Sequence, residues 1–278
     1  MGTTTIDADA GSVLGPAGHR RKAQPVGTAG RGEPAALAVD LGSGQARVWS
    51  VGDGIRAVPT ADNGLRWPAP LVRRGRIVDA DGCVSLLTRL VHAFPHGLAA
   101  GPVVVACRPV LATAVDQDAI RRVVTAAFAP SRILLINTVR AAAIGSGAAT
   151  GVLLVVDVGA QLTEVAVLVD GRVVAARRAE TGTQDRPPGG ASRLLAGIVT
   201  RLVTDIAGNA GMRRLTAAAL GRGVVVVGDG ATTPELIIRL AANLRVPVRP
   251  ATSPRLAALS GAGLAAMAAC RHPTATAA

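Results

Sequence analysis

Two short turns in this sequence carry residues that are suited to holding an anion and its counter-ion. In the first, DLGSGQ, Gly42 and Gly44 let the backbone approach a ligand closely, and Ser43 and Gln45 can donate hydrogen bonds to phosphate oxygens. Asp40 opens the turn, at a position where a carboxylate could hold Mg²⁺ through water. The pattern predicts a phosphate site with a magnesium ion, although an ordinary hairpin turn can carry the same residues.

The second turn, DVGAQL, repeats the first one later in the chain. Asp157 aligns with Asp40 and Gly159 aligns with Gly42, and an Asp-Gly pair follows each turn at the same offset. Asp-Gly favours tight hairpin turns because both residues tolerate a positive φ. Both copies therefore read as strand, Asp-x-Gly turn, strand, Asp-Gly turn, strand, and we infer a duplicated domain.

A third segment, GVVVVGDGATTPEL, reads as a buried strand that runs through a glycine turn into a helix. Its turn contains Gly228, Asp229 and Gly230. A helix N-terminus can bind the sugar and α-phosphate of a nucleotide. The segment does not complete the G-x-G-x-x-G fingerprint of dinucleotide-binding proteins.

Strand-like runs and helical patterns alternate along the rest of the chain, which predicts an α/β fold. The predicted strands include RILLIN and GPVVVAC, and the predicted helices include DQDAIRRVVTAAF and ASRLLAGIVTRLVTDIAG. The expected organisation is a disordered tail, a first domain, a second domain and a short disordered tail, at residues 1–34, 35–149, 150–270 and 271–278.

The composition bounds the partners and the compartment. The net charge of +12 permits contact with nucleic acid, but the arginines are scattered and aromatic residues make up only 1% of the chain, so few side chains could stack on bases. We therefore expect no nucleic-acid partner. The three cysteines are far apart and show no disulfide or metal spacing, which fits a reducing cytoplasm.

Taken in order, these segments resemble the actin-fold ATPases, and among them the MreB family of bacterial rod-shape-determining cytoskeletal proteins. AVDLGSGQARVW resembles the first phosphate motif, VVDVGAQLTEVAVL the second and GVVVVGDGATTPEL the adenosine motif, while INTVRAAAIGSG resembles the connecting helix. The resemblance implies two ribonuclease H-like domains with a cleft for ATP and Mg²⁺ between them. It assigns the cleft to Asp40, Gly42, Ser43, Gly44, Gln45, Asp157, Gly159, Ala160, Gln161, Gly228, Asp229 and Gly230, with Asp40 and Asp157 near the metal.

The sequence also departs from the family pattern at the cleft. Ala160, Gln161 and Leu162 stand where the family has small and hydroxyl residues, and each lost hydrogen bond to a phosphate weakens binding by roughly 1.5–3 kcal/mol. Asn137 and Thr138 occupy the positions at which the family has acidic residues, one of which positions the attacking water. These departures predict weak nucleotide binding and little or no hydrolysis.

The small outer lobes of the family are largely missing from this sequence. Only short stretches stand between Trp67 and Arg76 and between Glu180 and Gly190, and the family's head-to-tail filament contact uses these lobes. The family also has exposed apolar residues in a loop near its membrane face. Phe94 and Leu98 are the corresponding candidates here for peripheral membrane contact.

The resemblance implies a cytoskeletal protein of cell shape or cell-wall morphogenesis, located in the cytoplasm, at the inner face of the membrane. Its expected partners are itself or other actin-like subunits and cell-envelope morphogenesis proteins. An alternative is a compact small-molecule kinase of the same superfamily, such as a pantothenate kinase. That reading lacks a carboxylate base near the cleft, because Asp116 and Asp118 are better interpreted as residues at a helix start.

Overall fold

Apolar runs of Val, Leu, Ile and Ala form most strands of this chain, because such runs can be buried on both faces of a sheet. The computed structural model describes residues 35–60, 69–95, 101–185 and 190–272. The predicted tail at residues 1–34 and residues 273–278 of the predicted C-terminal tail lie outside these ranges.

The elements follow one another as the alternating pattern predicts. The strands are β1 (Ala36–Leu41), β2 (Gln45–Ser50), β3 (Gly54–Pro59), β4 (Val72–Arg73), β5 (Arg76–Ile77), β6 (Val103–Arg108), β7 (Arg132–Asn137), β8 (Val152–Val158), β9 (Thr163–Val169), β10 (Arg172–Ala179), β11 (Val224–Val227) and β12 (Val248–Pro250). The helices are α1 (Ala80–His92), α2 (Ala114–Phe128), α3 (Thr138–Gly145), α4 (Ala191–Ala207), α5 (Arg213–Arg222), α6 (Pro234–Leu244) and α7 (Ala257–Arg271), and a 3₁₀ turn at Gly230–Thr232 precedes α6.

The strands form two five-stranded sheets of the same design. The first has the order β3-β2-β1-β6-β7 and the second has the order β10-β9-β8-β11-β12. In each sheet three antiparallel strands are joined by hairpins, and two further strands extend the sheet in parallel. The predicted α/β class and the inferred repeat are both visible in this topology.

In the second copy Asp170 and Gly171 form the predicted two-residue turn between β9 and β10, whereas in the first copy the turn is at residues 51–53 and Gly54 is already the first residue of β3, where it pairs with Ser50. Gly54 has a φ of 75° and Gly171 has a φ of 72°, and Asp170 precedes the latter at 47°. These left-handed conformations are the ones that glycine and aspartate tolerate best.

Helices and sheets alternate in layers around three apolar cores. Helices α1 and α2 cover one face of the first sheet, and helices α4, α5 and α6 cover one face of the second. The inner faces of both sheets share a third core with α3 and α7. The helix pair α3–α7 thus lies between the sheets, and it sets the distance at which the two sheets face one another.

The two central helices approach each other at glycines. A Cβ atom added to Gly145 would collide with the carbonyl oxygen of Ala257, and one added to Gly261 would collide with the carbonyl oxygen of Ala141. The helix backbones are therefore in direct contact, which explains why small residues dominate both helices.

Phe94 follows α1 and is only 4% exposed. It belongs to the core under the first sheet, and the guanidinium of Arg56 lies 5.8 Å from the centre of its ring. The expectation that Phe94 is an exposed membrane anchor is therefore wrong, because the side chain is needed in the core; Leu98 lies outside the described residues. Among the helices of the described ranges, none has the length and apolar character needed to cross a membrane.

A glycine-to-alanine pair tests the role of the α3–α7 contact. We expect Gly261→Ala to lower the free energy of unfolding by about 3 kcal/mol, because the added methyl group must push two helix backbones apart. Gly197→Ala in α4 is the matched control: nothing lies within 4 Å of its added Cβ, so it should stabilise the protein by up to about 1 kcal/mol. Urea denaturation measures both, and similar values for the two variants would contradict this packing.

Candidate functional site

The loops between β1 and β2 and between β8 and β9 meet at one cavity of about 90 Å³. Of the residues predicted for the cleft, the structure brings together Asp40, Gly42, Ser43, Gly44, Gln45, Asp157, Gly159, Ala160, Gln161, Gly228 and Asp229. The cavity is also lined by residues that sequence reasoning did not select, among them Arg47, Gly75, Cys107, Glu164 and Arg255.

The first hairpin places an acid opposite a base. Asp40 at the end of β1 pairs in register with Arg47 on β2, and the Nη1 atom of Arg47 lies 3.3 Å from Oδ2 of Asp40. The turn closes with a hydrogen bond of 3.0 Å from the amide of Gly42 to the carbonyl of Gln45. Ser43 at the tip is 6% exposed.

The second hairpin has the same geometry but places two acids opposite each other. The amide of Gly159 donates to the carbonyl of Leu162 at 2.9 Å, as Gly42 does to Gln45. Asp157 pairs in register with Glu164, which therefore occupies the position that corresponds to Arg47. The amide of Val110 donates a hydrogen bond of 2.5 Å to Oε1 of Glu164.

Three buried carboxyl groups of the cleft have raised pKa values, so they keep their protons at a higher pH than exposed carboxyl groups do. Burial, followed by the neighbouring charges of Asp40 and Asp229, raises the pKa of Asp157 to about 7. Burial and the charge of Asp157 raise the pKa of Glu164 to about 8. The pKa of Asp40 is also raised by burial, although Arg47 opposes the shift.

Two arginines neutralise part of this charge. Besides its pair with Asp40, Arg47 donates to Oε1 of Gln45 at 3.0 Å and lies 3.9 Å from Asp229. The Nε atom of Arg255 lies 3.2 Å from the same oxygen of Asp229. In the part of the chain that the structure describes, the Nε atom of Arg47 is buried without a hydrogen-bond partner.

The tips of the two hairpins touch. A Cβ atom added to Gly44 would lie only 2.9 Å from Cβ of Ala160. The methyl group of Ala160 therefore lies directly against the backbone of the first turn. The carbonyls of Gly159 and Ala160 accept hydrogen bonds of 3.0 and 2.8 Å from the amides of Thr183 and Gln184. The second tip is therefore held from one side by the segment that follows β10 and meets the first tip on the other.

Two of the three turn residues of the third predicted segment line the cavity. Gly228 follows β11 with a φ of 82°, and its amide donates to the carbonyl of Pro254 at 3.0 Å. Asp229 is the acid that the two arginines contact. Gly230 does not line the cavity: it is buried against the side chain of Val158, where a Cβ atom would collide, and so supports the turn from behind.

Thr138 and Asn137 stand where the resemblance implied acidic groups. Thr138 lines the cavity, and its hydroxyl donates to the carbonyl of Arg108 at 3.1 Å. Asn137 is the residue before α3, and its Oδ1 atom is buried with no hydrogen-bond partner among the described residues. Asp116, as interpreted from the sequence, begins a helix: it forms a capping box with Thr113 at the start of α2.

These residues fit a bound ATP poorly. The free space inside the cavity is small, about 90 Å³. Four carboxyl groups face two arginines around it, which disfavours a polyphosphate. Within the described ranges, no group of three or more His, Cys, Asp and Glu side chains is placed to hold a metal ion.

The acid–acid pair predicts that stability falls as the pH rises. The folded-state pKa of Glu164, about 8, is above its ordinary value of 4.5, so the folded protein keeps a proton that the unfolded chain releases over this interval. The free energy of unfolding of the protein should therefore fall by about 1.4 kcal/mol per pH unit between the two pKa values of Glu164. Glu164→Gln should flatten the profile and raise the melting temperature at pH 8, whereas Glu235→Gln, at an exposed site, should leave the slope unchanged. A wild-type profile that rises from pH 5 to pH 8 would contradict this assignment.

Comparison with solved structures shows the same fold in proteins of low sequence identity. MreB5 of Spiroplasma citri bound to ADP superposes with a TM-score of 0.73 at 14% identity, covering 86% of this chain and 98% of that chain. The ethanolamine utilization protein EutJ from Carboxydothermus hydrogenoformans gives 0.56 at 21% identity, over 83% and 89% of the two chains. MamK, from its double helical filament, gives 0.67 at 14% identity, over 84% and 99%. The predicted actin-like fold is confirmed.

The sequence itself identifies the family. A comparison with curated protein sequences finds no match. The family description "MreB/Mbl protein" matches residues 31–185, which is more than half of the 278 residues. This stretch contains both hairpins of the cleft, from Asp40 to Glu164. The chain therefore belongs to the MreB/Mbl family of actin-like proteins.

Proposed function

We propose that this protein is a bacterial actin-like assembly subunit that takes part in cell shape or cell-wall morphogenesis and does not depend on an efficient cycle of ATP hydrolysis. Its membership of the MreB/Mbl family supports the cytoskeletal role. The comparison protein MamK forms a double helical filament, which supports self-association for a chain of this fold. Cys83 and Cys107 are buried and form no disulfide among the described residues, which supports a cytoplasmic location.

The contact between the two hairpin tips carries the proposal. In MreB5, structures with ADP and with AMPPNP indicate a cleft that accepts nucleotide. In this chain the methyl group of Ala160 fills the space beside Gly44, and Leu162 contacts the loop at Gly75. These are the positions at which the family pattern has small and hydroxyl residues, so the same substitutions remove phosphate donors and fill the gap.

The acidic and hydroxyl groups of the cleft also support the proposal that ATP is not hydrolysed efficiently. Thr138 cannot act as a carboxylate base, and loss of such a group typically lowers a rate by roughly 10²- to 10⁴-fold. Glu164 is acidic, but it is buried, accepts a hydrogen bond from Val110 and keeps its proton to about pH 8. A protonated carboxyl group that is already engaged is a poor acceptor for a proton from water.

ATP binding and turnover test the proposal. We expect a dissociation constant of about 0.1 mM or weaker, because two lost phosphate hydrogen bonds would weaken micromolar binding by a factor of a hundred or more. Calorimetry with Mg²⁺-ATP and a phosphate-release assay measure both quantities, with MreB5 of Spiroplasma citri as the nucleotide-binding control. Micromolar binding with steady turnover that is abolished by Asp157→Ala would contradict the proposal.

A variant of the second tip tests which residues close the cleft to phosphate. We expect Ala160→Gly combined with Leu162→Thr to tighten ATP binding at least about tenfold, because it opens the contact with Gly44 and supplies a hydroxyl donor. Val174→Thr, at an exposed position on β10 outside the cleft, is the control and should leave binding unchanged. If the double variant binds no better than the wild type, the tip residues do not determine the affinity.

Assembly should not require nucleotide. We expect the purified protein to pellet on ultracentrifugation to the same extent with ATP, with ADP and with neither. The cytoskeletal role would be contradicted if the protein stayed monomeric under all three conditions and also did not bind other actin-like subunits of the same cell. Pelleting that requires ATP would instead contradict the claim that the cleft has lost control of assembly.

A further inference from the structure

The short hairpin formed by β4 and β5 contacts both the β1–β2 turn and the β8–β9 turn. Its two-residue turn consists of Arg74 and Gly75, whose φ values of 51° and 75° are those of a type I′ turn. The amide of Gly75 donates to the hydroxyl of Ser43 at 3.1 Å, on the first tip. The amide of Arg74 donates to Oε1 of Gln161 at 3.2 Å, on the second.

The side chains of the same turn reach the second sheet. The guanidinium of Arg74 lies 3.8 Å from Glu180 and 3.9 Å from Asp185, and that of Arg76 lies 3.4 Å from Glu180. Glu180 and Asp185 belong to the segment that follows β10, whose amides also hold the second tip. Arg76 is further tied to its own half of the molecule through Asp116, at 4.0 Å.

We infer that this hairpin is a clasp that keeps the cleft closed without a nucleotide. The cleft clasp consists of the hairpin Val72–Ile77 together with Ser43, Gln161, Glu180 and Asp185. The inference rests on the proposed function, because it names what joins the two halves of a cleft that binds ATP weakly. In this chain the bridge between the two tips is made of protein groups.

The clasp competes with phosphate for the space between the tips. The hydroxyl oxygen of Ser43 and Oε1 of Gln161 each accept a hydrogen bond from the hairpin backbone, which holds the hairpin against both tips. Gly75 also sits against Pro109 and Leu162, which fills the gap beside the tips. A nucleotide that separated the tips would have to break these contacts.

The ion pairs of the clasp are partly exposed, so each one is weak and screened by salt. They act together with two backbone hydrogen bonds that hold the turn in one place. Closure should therefore be sensitive both to the charge at position 74 and to ionic strength.

The test is backbone hydrogen exchange of the full-length protein without nucleotide, followed by mass spectrometry of the segments at residues 72–77 and 159–163. Arg74→Asp reverses the charge and keeps a residue that tolerates the left-handed conformation. We expect exchange in both segments to become about tenfold faster at low salt. Arg73→Asp is the matched control: it makes the same change one residue earlier, on an exposed side chain with no ion pair in the described part of the chain.

A charge-conserving variant separates the clasp from a local effect on the turn. Arg74→Lys should keep protection in both segments, because it preserves the positive charge that faces Glu180 and Asp185. Equal exchange in Arg74→Asp and Arg73→Asp would overturn the inference, and so would an Arg74→Lys variant that exchanges as fast as Arg74→Asp. Because no nucleotide is present, ATP turnover by the protein would refute the proposed function and leave this result standing.

Discussion

The packing of α3 against α7 is the constraint on which the rest of the structure depends. The two helices touch through Gly145 and Gly261 and fill the space between the inner faces of both sheets. In each sheet one hairpin, β1–β2 or β8–β9, has its turn at the cavity. The thickness of the helix pair therefore fixes how far apart the two turns lie. With glycine and alanine at this contact, the tips meet at Gly44 and Ala160.

This proximity determines the electrostatics of the cleft. One hairpin presents Asp40 with Arg47, and the other presents Asp157 with Glu164, at matching positions of the register. Brought together, they form a buried cluster with more acids than bases. Protonation and the hydrogen bond from Val110 relieve that excess within the protein, and a polyphosphate would increase it. The closed tips and the acidic cavity therefore support the same functional conclusion.

Sequence patterns predicted the parts of this structure that depend on local order. The constant offset between the two Asp-x-Gly turns anticipated two equivalent hairpins, because register and turn type are encoded within a few residues. Helix α5 was not predicted, since its arginines and alanines give a weak apolar pattern. Strand alternation could have placed Arg47 opposite Asp40, and Glu164 opposite Asp157, had the pairing been extended two residues beyond each turn.

Local sequence patterns could not predict the contacts between segments that are distant in the chain. The meeting of Arg74 with Gln161 and Glu180 depends on how two sheets are spaced, and no local signal reports that distance. The burial of Phe94 is a similar case, because a loop sequence does not show whether its aromatic residue turns inward. The domain boundaries and the ligands of the cleft remain predictions.

The most direct test of the central claim is a crystal structure of the protein grown with millimolar ATP and Mg²⁺. The account predicts that Gly44 and Ala160 remain in contact and that Arg47 remains paired with Asp40. It also predicts that the amide of Gly75 still donates to Ser43. Ordered density for a triphosphate between the two tips, with the tips moved apart, would contradict the claim that this cleft is closed by the protein itself.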